Sequence, residues 1–128
     1  MKPQTEAFLG AADEALSDAR GNLSINIQRQ AARLAYYAQF HAAQALIFER
    51  TDKITKTHKG VSREFHNLAR AEPTLPPELG AKLSAAYYYK EVADYDTGTA
   101  PQITRPQARD AIVTAEQFVA VIRQVLTP

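Results

Sequence analysis

The sequence predicts an all-α fold, an antiparallel up-and-down four-helix bundle with one additional short helix, and three observations carry that prediction. Apolar residues recur three and four places apart rather than alternating, which is the period of a helix and not of a strand. Glycines and prolines fall mostly between the apolar runs, where they punctuate rather than interrupt. The segments joining the runs are mostly short, which favours antiparallel neighbours.

The first helix carries Phe8, Leu9, Ala12, Ala15, Leu16 and Ala19 on one side, and Gly21 offers the left-handed residue that ends many helices. Asn22 or Ser24 then caps a long second helix, from about Ser24 to Arg50, with the stripe Ile27, Leu34, Ala38, His41, Ala45 and Phe48. Many of its contact positions are alanine, and small side chains admit a close neighbour, so this helix is expected at the centre. A shorter helix with Val61, Phe65 and Leu68 follows Thr57 as its cap. Pro76 and Pro77 then introduce a helix bearing Leu79, Leu83 and Ala86, expected to stop between Asp96 and Gly98, ahead of Pro101. The last helix opens on Thr104-Arg105-Pro106-Gln107, a capping box with proline in the first turn. Its buried face is Ala111, Ile112, Ala115, Phe118, Val119, Ile122 and Val125.

With 128 residues the chain fits one domain, residues 1–128, and a fold of that size removes roughly two thirds of its unfolded surface from water. A hydrophobic share of 45% and a charged share of 23% exclude a disordered or fibrous chain. Cysteine is absent, which excludes disulfide scaffolds, thiolate metal sites and thiol nucleophiles. The opening MKPQTEAFLG lacks the apolar stretch of a secretion signal, and no segment approaches the roughly 18 apolar residues of a membrane span. A cytoplasmic protein with no membrane partner is the expectation.

The net charge of +1 argues against a wholly basic, nucleic-acid-coating protein, but the charge is unevenly placed. Between Arg50 and Arg70 six basic residues (Arg50, Lys53, Lys56, Lys59, Arg63, Arg70) face two acidic ones (Asp52, Glu64). Such a segment attracts phosphate or is simply a solvated loop. The three histidines, His41, His58 and His66, include no pair at helical ligand spacing, and the Asp94, Asp96, Gly98 run fails as a calcium loop at Thr99 and Arg105, so no metal is expected. His41 follows Tyr37 by one turn, and Tyr37 follows Arg33 by one turn. A buried histidine bonded to a tyrosine or a backbone carbonyl is one reading, a catalytic base the other.

The stretch YYYKEVADYDTG, Tyr87 to Gly98, is the most unusual. Continuing the Leu79, Leu83, Ala86 stripe by helical spacing places Lys90 and Asp94 where an apolar residue belongs, and charges avoid dry cores. Either the bundle opens here into a solvated groove, or the two form an ion pair one turn apart. An exposed pair in that order contributes only a few tenths of a kcal/mol.

The blocks AYYAQFHAAQAL (Ala35 to Leu46), THKG (Thr57 to Gly60), LPPELG (Leu75 to Gly80) and KEVADYDTG (Lys90 to Gly98) together resemble the HEPN superfamily, in its branch of small stand-alone prokaryotic proteins. The resemblance implies a helical bundle, a homodimer, and a minimal nucleotidyltransferase as partner in a toxin–antitoxin-like module. Ribonuclease members carry an arginine and, about five to seven places on, a histidine that serves acid–base chemistry on RNA. No arginine stands at that distance before His41, His58 or His66. Lys90 takes the place of the branch's arginine, keeping the charge and losing the planar fork.

The leading expectation is therefore a dimeric binding component, non-catalytic or weakly catalytic, with no cofactor. Its alternatives are an RNA endonuclease toxin with an altered site and a small-nucleotide-binding module in which Tyr87 or Tyr88 stacks on a base. The candidate catalytic residues are Lys90, Asp94 and His41. The candidate binding residues are Lys90, Asp94, Tyr95 and Tyr87, with Lys56, His58, Lys59 and Arg63 from the basic segment, and Tyr95 is also a candidate for modification by the partner.

Overall fold

The computed structural model describes residues 1–95 and 102–127. Five helices follow one another along the chain: α1 (Pro3–Ser24), α2 (Gln28–Thr51), α3 (His58–Ala71), α4 (Leu79–Asp94) and α5 (Arg105–Leu126). No strand occurs among the described residues, and none of their helices is long and apolar enough to cross a membrane.

Polar contacts between helices fix their directions. At the head of α1 the Lys2 N–H donates to Glu49 (2.9 Å) and the Lys2 ammonium to Asp52 (2.9 Å), at the foot of α2, so these helices are antiparallel. Arg20 pairs with Glu116 (3.0 Å) and Arg123 with Asp13, which sets α5 antiparallel to α1. Arg33, near the start of α2, meets Asp94, at the end of α4 (2.8 Å), so α4 opposes α2. The four longer helices thus alternate up and down, and α3 is the additional short one.

Helix α2 packs against all four others. Its alanines 31, 32, 35, 38, 42, 43 and 45 are almost wholly buried, and the absence of larger side chains is what lets neighbours close around it. The remaining core volume is filled by Leu9, Leu46, Ile47, Ile122 and the ring pair Phe65–Phe118, whose centroids lie 5.4 Å apart. As the sequence predicts, Thr57 caps α3 by accepting from the Gly60 N–H (3.0 Å), and Thr104 and Gln107 form the capping box of α5.

Three boundaries differ from the sequence reading. Helix α1 does not end at Gly21 but continues to Ser24, and the left-handed residue of the turn is Asn26 (φ 62°). Neither Asn22 nor Ser24 caps α2: their side chains bond back to Asp18 and Gly21 carbonyls within α1, which carries the helix past the glycine. Ile27 therefore belongs to the turn and is exposed rather than part of the α2 stripe. Pro76 and Pro77 lie in the turn before α4, where the Pro76 carbonyl accepts from Leu79, and not inside its first helical turn. The readings that fall on Asp96, Gly98, Thr99 and Pro101 lie outside the described residues.

Candidate functional site

Tyr36 on α2, His58 at the start of α3 and Tyr87 on α4 converge, because each of these helices packs on α2. The tight start of α3 is set by Gly60: a Cβ there would lie 2.7 Å from the Thr57 hydroxyl that makes the cap. Gly80 serves the approach of α4 to α3, since a Cβ would meet the His66 ring at 2.7 Å. The THKG glycine thus serves the cap of α3, and the LPPELG glycine the contact of α4 with α3.

Between α3 and α4 lies a cavity of about 520 Å³, lined by Tyr36, His58, Lys59, Arg63, Leu83 and Tyr87 together with Ser62 and Ser84. That volume falls within the usual range of small-ligand sites. Among the described residues Lys59 and Arg63 have no ion-pair partner, whereas Arg50 is engaged by Glu72 (3.2 Å) and Lys53 by Glu64 (4.0 Å). Of the basic segment, then, Arg50 and Lys53 are paired, and the unpaired Lys59 and Arg63 are the two that reach the cavity.

His58 Nδ1 is hydrogen-bonded to the Tyr36 hydroxyl (2.8 Å), and its ring packs against Phe40 (5.0 Å between centroids) and Tyr87 (5.3 Å). Burial and then the Lys90 charge hold the imidazole below its usual range, although Glu91 and Asp94 pull the other way. Burial, before the neighbouring tyrosines, raises the Tyr36 phenol far above its ordinary value, so the hydroxyl keeps its proton. When that hydroxyl donates to Nδ1, the neutral ring carries its proton on Nε2, a donor for a phosphate oxygen. With the bond reversed, Nε2 is a lone pair able to take a proton.

Next to His58 lies an ionic cluster. Lys90 Nζ and Arg33 Nε each approach a different oxygen of Asp94, both at 2.8 Å. The hydrogen bonds from Lys90 and Arg33 lower the Asp94 carboxyl below its ordinary range, and the same bond to Asp94 raises the Lys90 ammonium. Arg33 lies over the Tyr37 ring (4.9 Å) and Lys90 over the Tyr87 ring (5.7 Å), so an aromatic face positions each cation. A hydrogen bond to Glu91, ahead of burial, raises the Tyr87 phenol, which brings a second carboxylate to this edge.

The structure therefore brings together His58, Lys59, Arg63 and Tyr87 in the cavity, with Lys90 and Asp94 adjoining. Lys56 is exposed and does not line it. Tyr95 is the exposed residue that follows α4. Tyr88 is 55% exposed and belongs to a separate groove between α4 and α5, with Gln39 and Lys82, so only Tyr87 of the two tyrosines faces the His58 cavity. His41 lies in a groove between α1 and α2, bonded through Nδ1 to Gln44 (2.8 Å) rather than to a tyrosine or a backbone carbonyl. Gln44 itself donates to the Thr55 carbonyl. The physical reason is the one-turn reach from His41 to Gln44, which needs no other helix.

Sequence reasoning missed Arg33 as the second cation on Asp94 and Tyr36 as the partner of His58. The one-turn spacing of Arg33, Tyr37 and His41 shows that they share a face of α2, but the contact with Asp94 spans 61 positions and follows from the tertiary fold. The bond from Tyr36 to His58 spans 22 positions and had no signal in the sequence.

A bundle of this topology with a polar site at the end of its fourth helix defines a class, and the family model for the HEPN domain matches residues 5–125. The chain belongs to the HEPN domain family. It is similar to a Methanocaldococcus jannaschii protein named "Putative toxin MJ0605", 30% identical over 98% of this chain and 91% of that one. It is also similar to a UPF0332 protein of Archaeoglobus fulgidus, 28% identical over 91% of this chain and 90% of that one.

Proposed function

We propose that this chain is a toxin-like HEPN protein that binds RNA through the His58 cavity and acts as a dimeric component beside a minimal nucleotidyltransferase. The observation that carries the RNA reading is the cavity itself, where unpaired Lys59 and Arg63 stand with a histidine and a half-buried tyrosine ring. Cations hold the phosphate backbone, and an aromatic face supports a base without reading its identity. The name of the M. jannaschii relative supports the toxin-like part of the reading.

The test is a titration of short single-stranded RNA against wild type and the Lys59→Ala/Arg63→Ala pair. The expected result is weaker binding by the variant and a log–log salt slope reduced by about 1.4 units, roughly 0.7 for each lost phosphate contact on a single strand. Equal binding by both proteins refutes the assignment of the cavity. Co-purification from the native host is expected to recover a nucleotidyltransferase, and light scattering a dimer. A strictly monomeric protein recovered alone refutes the partnership.

A second reading, RNA cleavage, is favoured by one feature: a neutral imidazole beside the Lys90 cation, the pair of groups that acid–base cleavage with phosphate stabilisation requires. It places catalysis on His58 rather than on His41. Controlled expression in a bacterial host, wild type beside His58→Ala and Lys90→Ala, decides it. Growth arrest with loss of total RNA, relieved by either substitution, supports cleavage; healthy growth with intact RNA rejects it.

A further inference from the structure

Two cations reach one carboxylate from two helices. Arg33 Nε, on α2, takes one oxygen of Asp94 at 2.8 Å, and Lys90 Nζ, on α4, takes the other at 2.8 Å. For Lys90 and Asp94 a one-turn spacing suffices, but Arg33 stands 61 positions from Asp94, and only the tertiary fold places it there. The arrangement matches how a guanidinium and an ammonium from separate elements would share the oxygens of a phosphate.

The cations are also fixed independently of the carboxylate they hold. Arg33 rests on the Tyr37 ring and Lys90 on the Tyr87 ring, and the Lys90 side chain is only 15% exposed. Asp94, by contrast, is the last residue of α4. Two positive charges share the one Asp94 carboxylate; Glu91 acts on the neighbouring groups, and Glu14 and Asp18 line the groove that Arg33 also lines.

We propose that Arg33 and Lys90 form a phosphate-binding site, of which the Asp94 carboxylate is the internal occupant, displaced when a phosphate group enters. The biological ligand, an RNA phosphate, rests on the reading given above, but the site itself does not. In this arrangement Asp94 occupies the place between the two cations while no phosphate is bound, and it weakens binding by competing for it. The carboxylate that would repel a phosphate from a rigid site instead sets how strong an anion must be to open this one.

The test uses inorganic phosphate at low ionic strength, followed by tyrosine fluorescence, since Tyr37 and Tyr87 lie against the two cations. Asp94→Asn is expected to bind phosphate about ten-fold more tightly than wild type, by removing the competitor. Arg33→Met, which leaves the Lys90–Asp94 pair intact, is expected to bind about ten-fold more weakly. Adding Arg33→Met to Asp94→Asn is expected to abolish the gain. Asp94→Asn binding no tighter than wild type overturns the proposal, as does phosphate affinity unchanged by Arg33→Met. Circular dichroism establishes that each variant is folded, and should Asp94→Asn fail that check, Arg33→Met alone still decides. Because inorganic phosphate needs no base and no cavity, a failure here leaves the Lys59 and Arg63 assignment standing. A failure of RNA binding likewise leaves this one standing.

Discussion

Along α1 and α5 the bundle is dry: Leu9, Ala12, Ala19, Ala108, Ala115, Phe118 and Ile122 are all but inaccessible, and the polar contacts between these helices lie outside, as Arg20–Glu116 and Arg123–Asp13. Where α3 and α4 meet α2, the contact is made by Tyr36, Tyr37, Phe40, His58 and Tyr87, with hydroxyls, an imidazole and a cavity among the rings. Both sides share the same central helix, so the difference comes from side-chain size. Alanine on α2 draws helices into close contact, whereas aromatic residues hold them apart and leave polar space. One helix thereby supplies the packing of one half and the scaffold of a site in the other.

The comparison predicts that substitutions separate into those that unfold the protein and those that alter only the site. Phe118→Ala, which removes one ring of the fully buried Phe65–Phe118 pair, is expected to cost about 3–5 kcal/mol in urea unfolding. A cost under about 1 kcal/mol would mean that the dry side is not where stability resides.

Tyr87→Ala tests the other half. Loss of a stacking face is expected to weaken RNA binding by about 1–3 kcal/mol, while Tyr87→Phe, which keeps the ring, leaves affinity close to wild type. Equal losses in both variants, measured by the same titration, would transfer the role from the ring to the hydroxyl.

The wall joining the halves can be probed at its two glycines. Gly60→Ala forces the new methyl into the Thr57 cap and is expected to cost about 1 kcal/mol. Gly80→Ala meets only the ring of an exposed histidine, which can turn away, so thermal unfolding should report a change within about 0.5 kcal/mol.

The smallest expected effect is that of pH. The folded His58 binds its proton less readily than the unfolded chain does, so its contribution is fully present above the unfolded value and is lost as pH falls towards the lowered folded one. Wild type should therefore lose urea resistance below about pH 6.5, in a window above that of Asp94, Glu49 and Glu72, whose lowered values place their losses below the ordinary carboxylate range. His58→Gln should flatten the first step alone. A wild-type profile level from pH 7.5 to 5.5 would contradict the depressed imidazole.

What could be read in advance divides along the same line. The Thr57 cap, the Thr104 box and the α5 stripe depend on residues within one or two turns of each other, and the sequence shows them directly. The end of α1 was misread because Gly21 can end a helix but need not: Ser24 bonds back to the Gly21 carbonyl, and the left-handed position passes to Asn26. The Lys90–Asp94 pair was visible from helical spacing. The bonds that complete the site, Arg33 to Asp94 and Tyr36 to His58, cross 61 and 22 positions and follow from the packing of α2 against α4 and α3.

The alanine column of α2 also fixes where the molecule can breathe. Amide protons near Ala38, Ala42 and Ala43 lie under close-packed neighbours and should exchange with solvent deuterium only when the whole chain unfolds. Those at the open end of α4, around Lys90 and Asp94, have a cavity and solvent on one side and should exchange through smaller, faster openings. A phosphate group could then come and go by way of those openings while the helix behind it keeps its deuterium out for as long as the fold lasts.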